Sequence, residues 1–240
     1  MKLAAALLAT TFALFPVVGQ DPAAPATPPA DPTQTVVIDA SLLAGLKARS
    51  IGPATTSGRI GAVCGVPGDA KVVWVGAASG GVWKSTDGGV RFTPVFDDQD
   101  CTSIGAIAID PRSPDVVWVG TGEGNPRNSA SVGRGLYRTR DGGRTWQKLG
   151  LELTEHIHRI LLHPTNPDIA FVAALGSTWA DSEHRGLYRT LDGGKTWTKV
   201  LSSDARSGCC DVVMDPRNPD KLFASLWDHR REPHTFRSGG

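Results

Sequence analysis

The chain has 240 residues, with 25 Lys and Arg against 24 Asp and Glu, a formal net charge of +1, and 28 Gly and 17 Pro. So even a balance, with both signs interspersed, gives no electrostatic reason to expect nucleic acid or a polyanionic surface as a partner. No segment after the first 20 residues is apolar enough for a membrane span, and no cofactor or metal is expected.

The first 20 residues, MKLAAALLATTFALFPVVGQ, carry Lys2, an apolar run from Leu3 to Phe15, and small residues near a cleavage point after Gly19. This is the layout of a secretory signal peptide over residues 1–19, too short in its apolar run to cross a bilayer, and it predicts a secreted protein, periplasmic or extracellular. Residues 20–35, QDPAAPATPPADPTQT, are rich in Pro and Ala without apolar periodicity and read as an extended linker. The remaining stretch, residues 36–240, is long enough for one domain with a sizeable core. Its four cysteines, Cys64, Cys101, Cys209 and Cys210, allow three disulfide connectivities or free buried thiols, and the C-x-x-C spacing of a zinc site is missing.

Along this domain one unit recurs. STDGGVRFTPV begins at Ser85, TRDGGRTWQKL at Thr139 and TLDGGKTWTKV at Thr190, so the shared Asp falls at 87, 141 and 192, with spacings of 54 and 51 residues. Upstream of the second copy lie an alternating strand SIGAIAID, a turn PRSPD, and strands VVWVG and GLYRT; upstream of the third lie HRILLH, PTNPD, IAFVA and GLYRT. A fourth series, DVVMD, PRNPD and KLFASLW, begins at Asp211. Pro presets φ and Asp or Asn caps nearby N–H groups, so DPRSPD and DPRNPD predict tight reversals between the first and second strands. In RDGG, Gly142 and Gly143 supply positive φ between the third and fourth strands, with Asp141 accepting hairpin N–H bonds and Trp146 packed beside it. Four antiparallel strands in about 52 residues, repeated, are the signature of β-propeller blades. The expected fold is therefore all-β, with about three and a half blades, near 55–98, 99–150, 151–201 and an incomplete 202–240, as part of a larger propeller whose remaining blades are partners of these.

The repeated pattern is the Asp-box, S/T-x-D-x-G-x-x-W, and Asp87, Asp141 and Asp192 are read as turn caps rather than catalysts. Phe92 takes the Trp position in the first copy, which predicts different packing there. Asp-boxes should lie on the side of the first-to-second turns. The opposite side then gathers the blade connections (96–103, 150–158, 201–210) and the second-to-third loops (120–134, 174–185, 226–234), where propellers commonly bind ligands. Glu123, Asn125 and Arg127 sit in one Gly-flanked loop. His156 and His158 alternate at the start of a first strand with Arg159 alongside; H-x-H can ligate zinc, but no third ligand is evident and rim residues of a binding face are the better reading. Trp179 and Trp227, with Asp228 and His229, form a candidate stacking platform for a sugar or aromatic side chain. No complete catalytic set is visible, so the catalytic residues are unknown.

The Asp-boxes, together with SIGPATTSGRIGAV and GAASGGVWKSTDGG, resemble a family of exported bacterial Asp-box propellers related to the sortilin amino-terminal domain and often labelled glycosyl hydrolases. The resemblance implies a propeller from about Ser50 onward, and the repeat scaffold with variable polar loops and no complete catalytic set predicts that it binds a peptide, protein or glycan on its loop-rich face. The alternative is a glycoside hydrolase, sialidase-like or xyloglucanase-like, with catalytic residues partly outside this chain. Sialidases carry R-I-P, two further Arg and a Tyr nucleophile; here Arg59 and Ile60 precede Gly61, and the two tyrosines, Tyr137 and Tyr188, sit in the repeated GLYRT strand. Xyloglucan-cleaving propellers carry a catalytic Asp in T-D-x-G-G, where this chain has Ala78.

Overall fold

A computed structural model describes residues 59–239. The expected signal peptide and linker lie outside the described residues. Three four-stranded antiparallel sheets and one three-stranded sheet follow one another along the chain as the blades of a β-propeller. Blade one comprises β1 (Ile60–Val66), β2 (Asp69–Ala77), β3 (Val82–Ser85) and β4 (Thr93–Pro94). Blade two comprises β5 (Ile104–Asp110), β6 (Ser113–Thr121), β7 (Leu136–Thr139) and β8 (Gln147–Lys148). Blade three comprises β9 (Ile157–Leu162), β10 (Ala170–Ala174), β11 (Gly186–Thr190) and β12 (Thr198–Leu201). Blade four comprises β13 (Ser207–Asp215), β14 (Asn218–Arg231) and β15 (Phe236–Gly239). No helix among the described residues is long and apolar enough to cross a membrane.

Within each sheet the strands pair in sequence order, and the first strands of successive blades, β1 with β5, β5 with β9 and β9 with β13, pack side by side. Period-two alternation then sends one face of each sheet forward and the other back, so every junction builds its own apolar core. Trp74, Val82 and Phe96 of blade one close on Ile104, Val117, Val119 and Tyr137 of blade two. Trp118 and Leu149 of blade two close on Ile157, Ile160 and Val172 of blade three. Phe171 and Leu187 of blade three close on Cys209 and Val212 of blade four. Glycine in β2 and β6 permits this approach: a Cβ on Gly76 would lie 2.5 Å from Ile104 Cγ2, and one on Gly120 2.4 Å from Ile157 Cγ2.

The turns follow their chemistry. Asp110 Oδ1 accepts the Arg112 N–H at 2.9 Å and Asp215 Oδ1 accepts that of Arg217 at 2.9 Å, closing the first-to-second reversals. Each Asp-box hairpin is tied by its Asp. Asp141 Oδ1 accepts the Thr139 hydroxyl at 2.7 Å and the Thr145 N–H at 2.9 Å, while Oδ2 accepts the Thr145 hydroxyl at 2.6 Å. Asp192 repeats the arrangement with Thr190, Lys195 and Thr196, and Asp87 bonds Ser85, Val90 and Arg91. The box side and the turn side coincide, because Gly142 N–H donates to Asp115 O at 3.0 Å and Gly193 N–H to Asp168 O at 2.9 Å. Trp146 and Trp197 reach into the preceding blade, whereas Phe92 is 40 % exposed.

Two boundaries differ from the sequence expectation. Residues 226–231, assigned to a loop, continue β14, because Asp228, His229, Arg230 and Arg231 pair with β15. The stretch 201–210, assigned to a connection, ends β12 and begins β13, so Cys209 and Cys210 are strand residues. All four cysteines are free thiols, Cys101 and Cys209 buried and the other two half-buried.

Two predictions follow from this construction. Thr145, by its hydroxyl first and then its N–H, with the Thr139 hydroxyl, holds the Asp141 carboxyl well below the usual range; Thr196 and Thr190 do so for Asp192. A carboxyl whose folded pKa lies below its unfolded value of about 3.9 stabilises the fold above that pH and loses the contribution as pH falls. Asp141→Ala and Asp192→Ala should each lower the thermal midpoint at pH 7 by about 3–6 °C, with the difference from the parent shrinking below about pH 4; circular dichroism melts check both. The outward faces of the end blades also carry apolar groups that are covered elsewhere. Val63 is 67 % exposed where its counterparts Ile160 and Val212 are 6 % and 1 %, and Phe223 is 56 % exposed where Trp74 and Trp118 are 0 % and 2 %. The 240-residue chain should therefore self-associate at micromolar concentration in size-exclusion chromatography with light scattering, and a clean monomer would contradict this.

Candidate functional site

The side opposite the Asp-boxes is stitched by main-chain bonds across every junction. Gly81 N–H donates to Thr102 O at 2.8 Å, Gly133 N–H to Glu155 O at 2.6 Å, and Ser182 N–H to Ala205 O at 2.8 Å. The far end of β14 joins the blade-three loop through Arg231 N–H and Thr178 O, 2.8 Å. Leu151 adopts φ 62 and ψ 31, the left-handed region that non-glycine residues seldom occupy, and Glu155 has a positive φ of 55 with ψ −46, on either side of a short 3₁₀ turn at Glu152–Thr154.

Beneath these loops runs a seam of buried polar side chains. Glu123, 1 % exposed, receives two bonds from Arg59, Nε to Oε1 and Nη2 to Oε2, both 2.5 Å, linking blades one and two. Ser103 Oγ accepts the Glu123 N–H at 3.0 Å and donates to Ser131 O at 2.9 Å. Arg185, 1 % exposed, bonds Ser177 O at 2.5 Å, Ala180 O at 3.1 Å and His229 O at 3.2 Å, and its Nη1 stands 3.0 Å from His229 Nδ1. A guanidinium only donates, so a bond from Arg185 Nη1 requires an unprotonated His229 Nδ1. Burial first, and the Arg185 cation second, push the His229 imidazole down to about 4. Burial likewise lowers His156 and His158.

The residues singled out from sequence fall into three groups. Glu123, His156 and His229 are buried in the seam. His156 and His158 therefore do not form a common rim: His156 precedes β9 and is fully enclosed, while His158, half-buried on β9, lies against Gly124. Among the described residues no cluster of three metal-ligating side chains occurs. Trp227 and Asp228 belong to β14. Trp227 stacks on His229 with centroids 4.8 Å apart, meets the Phe236 edge, and donates Nε1–H to Ser238 Oγ at 2.9 Å. Burial acts to raise the Asp228 carboxyl, but Arg206 Nη2 at 2.5 Å and Arg237 Nε at 2.8 Å outweigh it and hold the group below the usual range. Asn125, Arg127 and Arg159 are exposed, Arg159 donating to Asp211 at 2.7 Å, and Trp179 is half-buried. Arg185 and Ser103 were not anticipated. RGLYRT occurs twice in the sequence, at Arg134 and Arg185, and only the second arginine is covered, so the hexapeptide holds no sign of the difference.

One open depression lies on this side, about 530 Å³, lined by Pro126, Arg127, Asn128, Ser129 and Arg231. Arg231 Nε donates to Asn128 Oδ1 at 2.7 Å, and the Arg231 guanidinium lies 5.7 Å from the centre of the Phe236 ring. Its lining carries two cations and no carboxylate.

Successive antiparallel blades, with their Asp-bearing hairpins on one side and their polar loops on the other, define a β-propeller. Residues 80–236 match the Sortilin-Vps10 family, described as sortilin, neurotensin receptor 3, and the chain belongs to that family. No curated protein matches it significantly. Among solved structures it is similar to an ancestral GH74 enzyme, with 18 % identity, TM-score 0.56, and 75 % of this chain covering 25 % of that one. It is similar to the GH74 enzyme of Niastella koreensis at 18 % identity and TM-score 0.52, with 73 % of this chain covering 28 % of that one. The GH74 xyloglucanase from Xanthomonas campestris gives 20 % identity and TM-score 0.52, with 70 % of this chain covering 27 % of that one. The chain thus spans about a quarter of the length of these enzymes, and the likeness is one of fold.

The seam gives a pH signature. The unfolded His229 titrates near 6.5 and the folded one near 4, so the unfolded chain binds more protons between those values. Stability is complete above about pH 6.5 and falls as pH drops towards 4. Thermal midpoints measured from pH 7 to 4.5 should decline steadily, and a flat profile would contradict the burial of neutral His229 beside Arg185.

Proposed function

We propose that the protein is an exported binding propeller, holding a peptide or protein ligand on its loop-rich face with an acidic group of the ligand seated against Arg127 and Arg231. The observation that carries this reading is the depression itself, which presents two guanidinium groups and no carboxylate. Planar guanidinium forks recognise carboxylates in a bidentate way. The rim is also held in place: Arg231 is tied to Asn128 and its strand to the blade-three loop, which lowers the ordering cost of binding. Trp227 already stacks on His229 and meets the Phe236 ring at 74°, which favours an acidic peptide group over a sugar stacked on that ring.

A hydrolytic reading finds no comparable support. Ala78 occupies the position where the resemblance to xyloglucan-cleaving propellers needs an acid, and it is buried. Glu123 is engaged by Arg59 and Asp228 by Arg206 and Arg237, so neither stands ready as a proton donor.

The experiment is a peptide and glycan array probed with the purified protein, followed by titration of the best ligand. Arg127→Ala with Arg231→Ala should weaken binding about tenfold or more, with the melt unchanged and the parent affinity falling with salt. Full binding by the double variant would overturn the assignment of this face, and a strictly glycan-selective profile would overturn the ligand class.

A further inference from the structure

The loop-rich face also displays a carboxylate at a point where the backbone is bent against its preference. Glu155, just ahead of β9, has φ 55 and ψ −46, and the Thr154 carbonyl accepts the His156 N–H across it at 2.5 Å. This is the γ-turn of positive φ, a rare and strained conformation for a residue with a Cβ. Its neighbours hold it there. Glu155 O accepts the Gly133 N–H at 2.6 Å from the blade-two loop, and His156 O accepts the Leu175 N–H at 2.9 Å from the blade-three loop. A Cβ on Gly122 would collide with Glu155 O, so blade two closes on the turn from that side as well.

The side chain at this turn is as unusual as its backbone. Glu155 is half-buried, and among the described residues its carboxylate has no hydrogen-bond or ion-pair partner. Every other buried or half-buried carboxylate there is engaged, Asp110, Glu123, Asp211 and Asp228 by arginines and the rest by N–H or hydroxyl groups. Glycine would meet the backbone requirement without strain, and nothing within the described fold uses the acid, so the carboxylate is free for a ligand. With no second carboxylate of this kind on the face, the group suits recognition of a charge rather than hydrolysis by an acid pair.

We infer that Glu155 seats a basic side chain of the peptide ligand, a lysine ammonium or an arginine guanidinium, and that the ligand therefore carries both signs of charge. This rests on the reading above, in which a peptide binds this face with its acidic group against Arg127 and Arg231. The two seats are complementary. The depression offers cations without a carboxylate, and Glu155 offers a carboxylate without a cation. The loop of residues 120–134 joins them, displaying Arg127 at its tip and bonding Glu155 through Gly133 at its base. A carboxylate held in place before binding needs little further ordering, the condition under which a charge-assisted bond shows in affinity.

The test is an array of short synthetic peptides, each carrying one Asp and one Lys at varied separation, beside matched sets with the Lys replaced by norleucine or the Asp by Asn. Probed with the 240-residue chain, the mixed peptides should be retained over both single-charge sets. Acetylating the lysine of the best mixed peptide should weaken binding about tenfold. Glu155→Gln should weaken the lysine peptide equally and leave the acetylated form unaffected, while Arg127→Ala with Arg231→Ala leaves the effect of acetylation in place. Glu155→Gly, which relieves the turn, should weaken binding as Glu155→Gln does and raise the thermal midpoint by about 2–4 °C. Equal retention of the Asp-only set would overturn the inference and leave the acidic seat standing, whereas equal retention of the Lys-only set would overturn the acidic seat and leave Glu155 standing. Acetylation without effect, parent affinity of Glu155→Gln for the lysine peptide, or a midpoint lowered by Glu155→Gly would each overturn the inference, and an array that retains no peptide would overturn it together with the reading it rests on.

Discussion

The contact on which the architecture depends is the one between an Asp-box indole and the blade before it. A four-stranded sheet of this size has two apolar faces and cannot bury either alone. The main-chain carbonyl at Val95 or Leu149 fixes where the next blade's tryptophan must lie, and the perpendicular ring of Trp74 or Trp118 fixes its angle. The Asp sets up that contact without touching the neighbouring blade. By binding the hydroxyls and N–H groups of its own hairpin it holds the turn in the one shape that delivers the tryptophan. In Asp141 and Asp192 both carboxylate oxygens are engaged in this way, as a turn fastener requires, whereas every bond of Asp87 falls on Oδ1.

That division of labour leaves the opposite side free to diverge. Its junctions are held by main-chain bonds and by a polar seam that differs at every step: Arg59 with Glu123 between the first two blades, Arg185 with His229 between the last two. Buried polar groups are costly unless partnered, so such pairs fix one arrangement of loops more than they add stability. The consequence for binding is a rim whose shape is set before a ligand arrives, with exposed Asn125 and Arg127 displayed on a loop whose base, at Glu123, is clamped.

The repeat made the fold legible. The DGG turns, the D-P-x-x-P-D reversals and the alternating apolar strands are local, and local chemistry dictates them. The candidate site was legible only in outline. Trp227, Asp228 and His229 follow a stretch that in the other blades leads into a loop, and nothing adjacent in sequence announces that β15 returns to pair with them. His156 and His158 share strand spacing, yet the start of β9 bends beneath the blade-two loop and encloses only the first. Arg134 and Arg185 head identical hexapeptides and end in opposite environments, because Arg185 alone lies under the end of β14. For the histidines and the arginines the deciding partner sits tens of residues away, and a single sequence records the pattern of a strand better than what is laid across it.

Family and fold together still leave the activity to be argued from residues. Structures that share under a quarter of their residues with this chain share the sheet pattern, and the sheet pattern is set by the junction contacts described above, none of which is chemical in function. What distinguishes one such propeller from another must therefore lie where the repeat is broken: in the loop between β6 and β7, in the extension of β14, and in the arginines these two segments bring to the same depression. Arg127 and Arg231 come from blades two and four and have no counterpart in the repeat. Their convergence is a property of this chain, and the reading of its function rests on them for that reason.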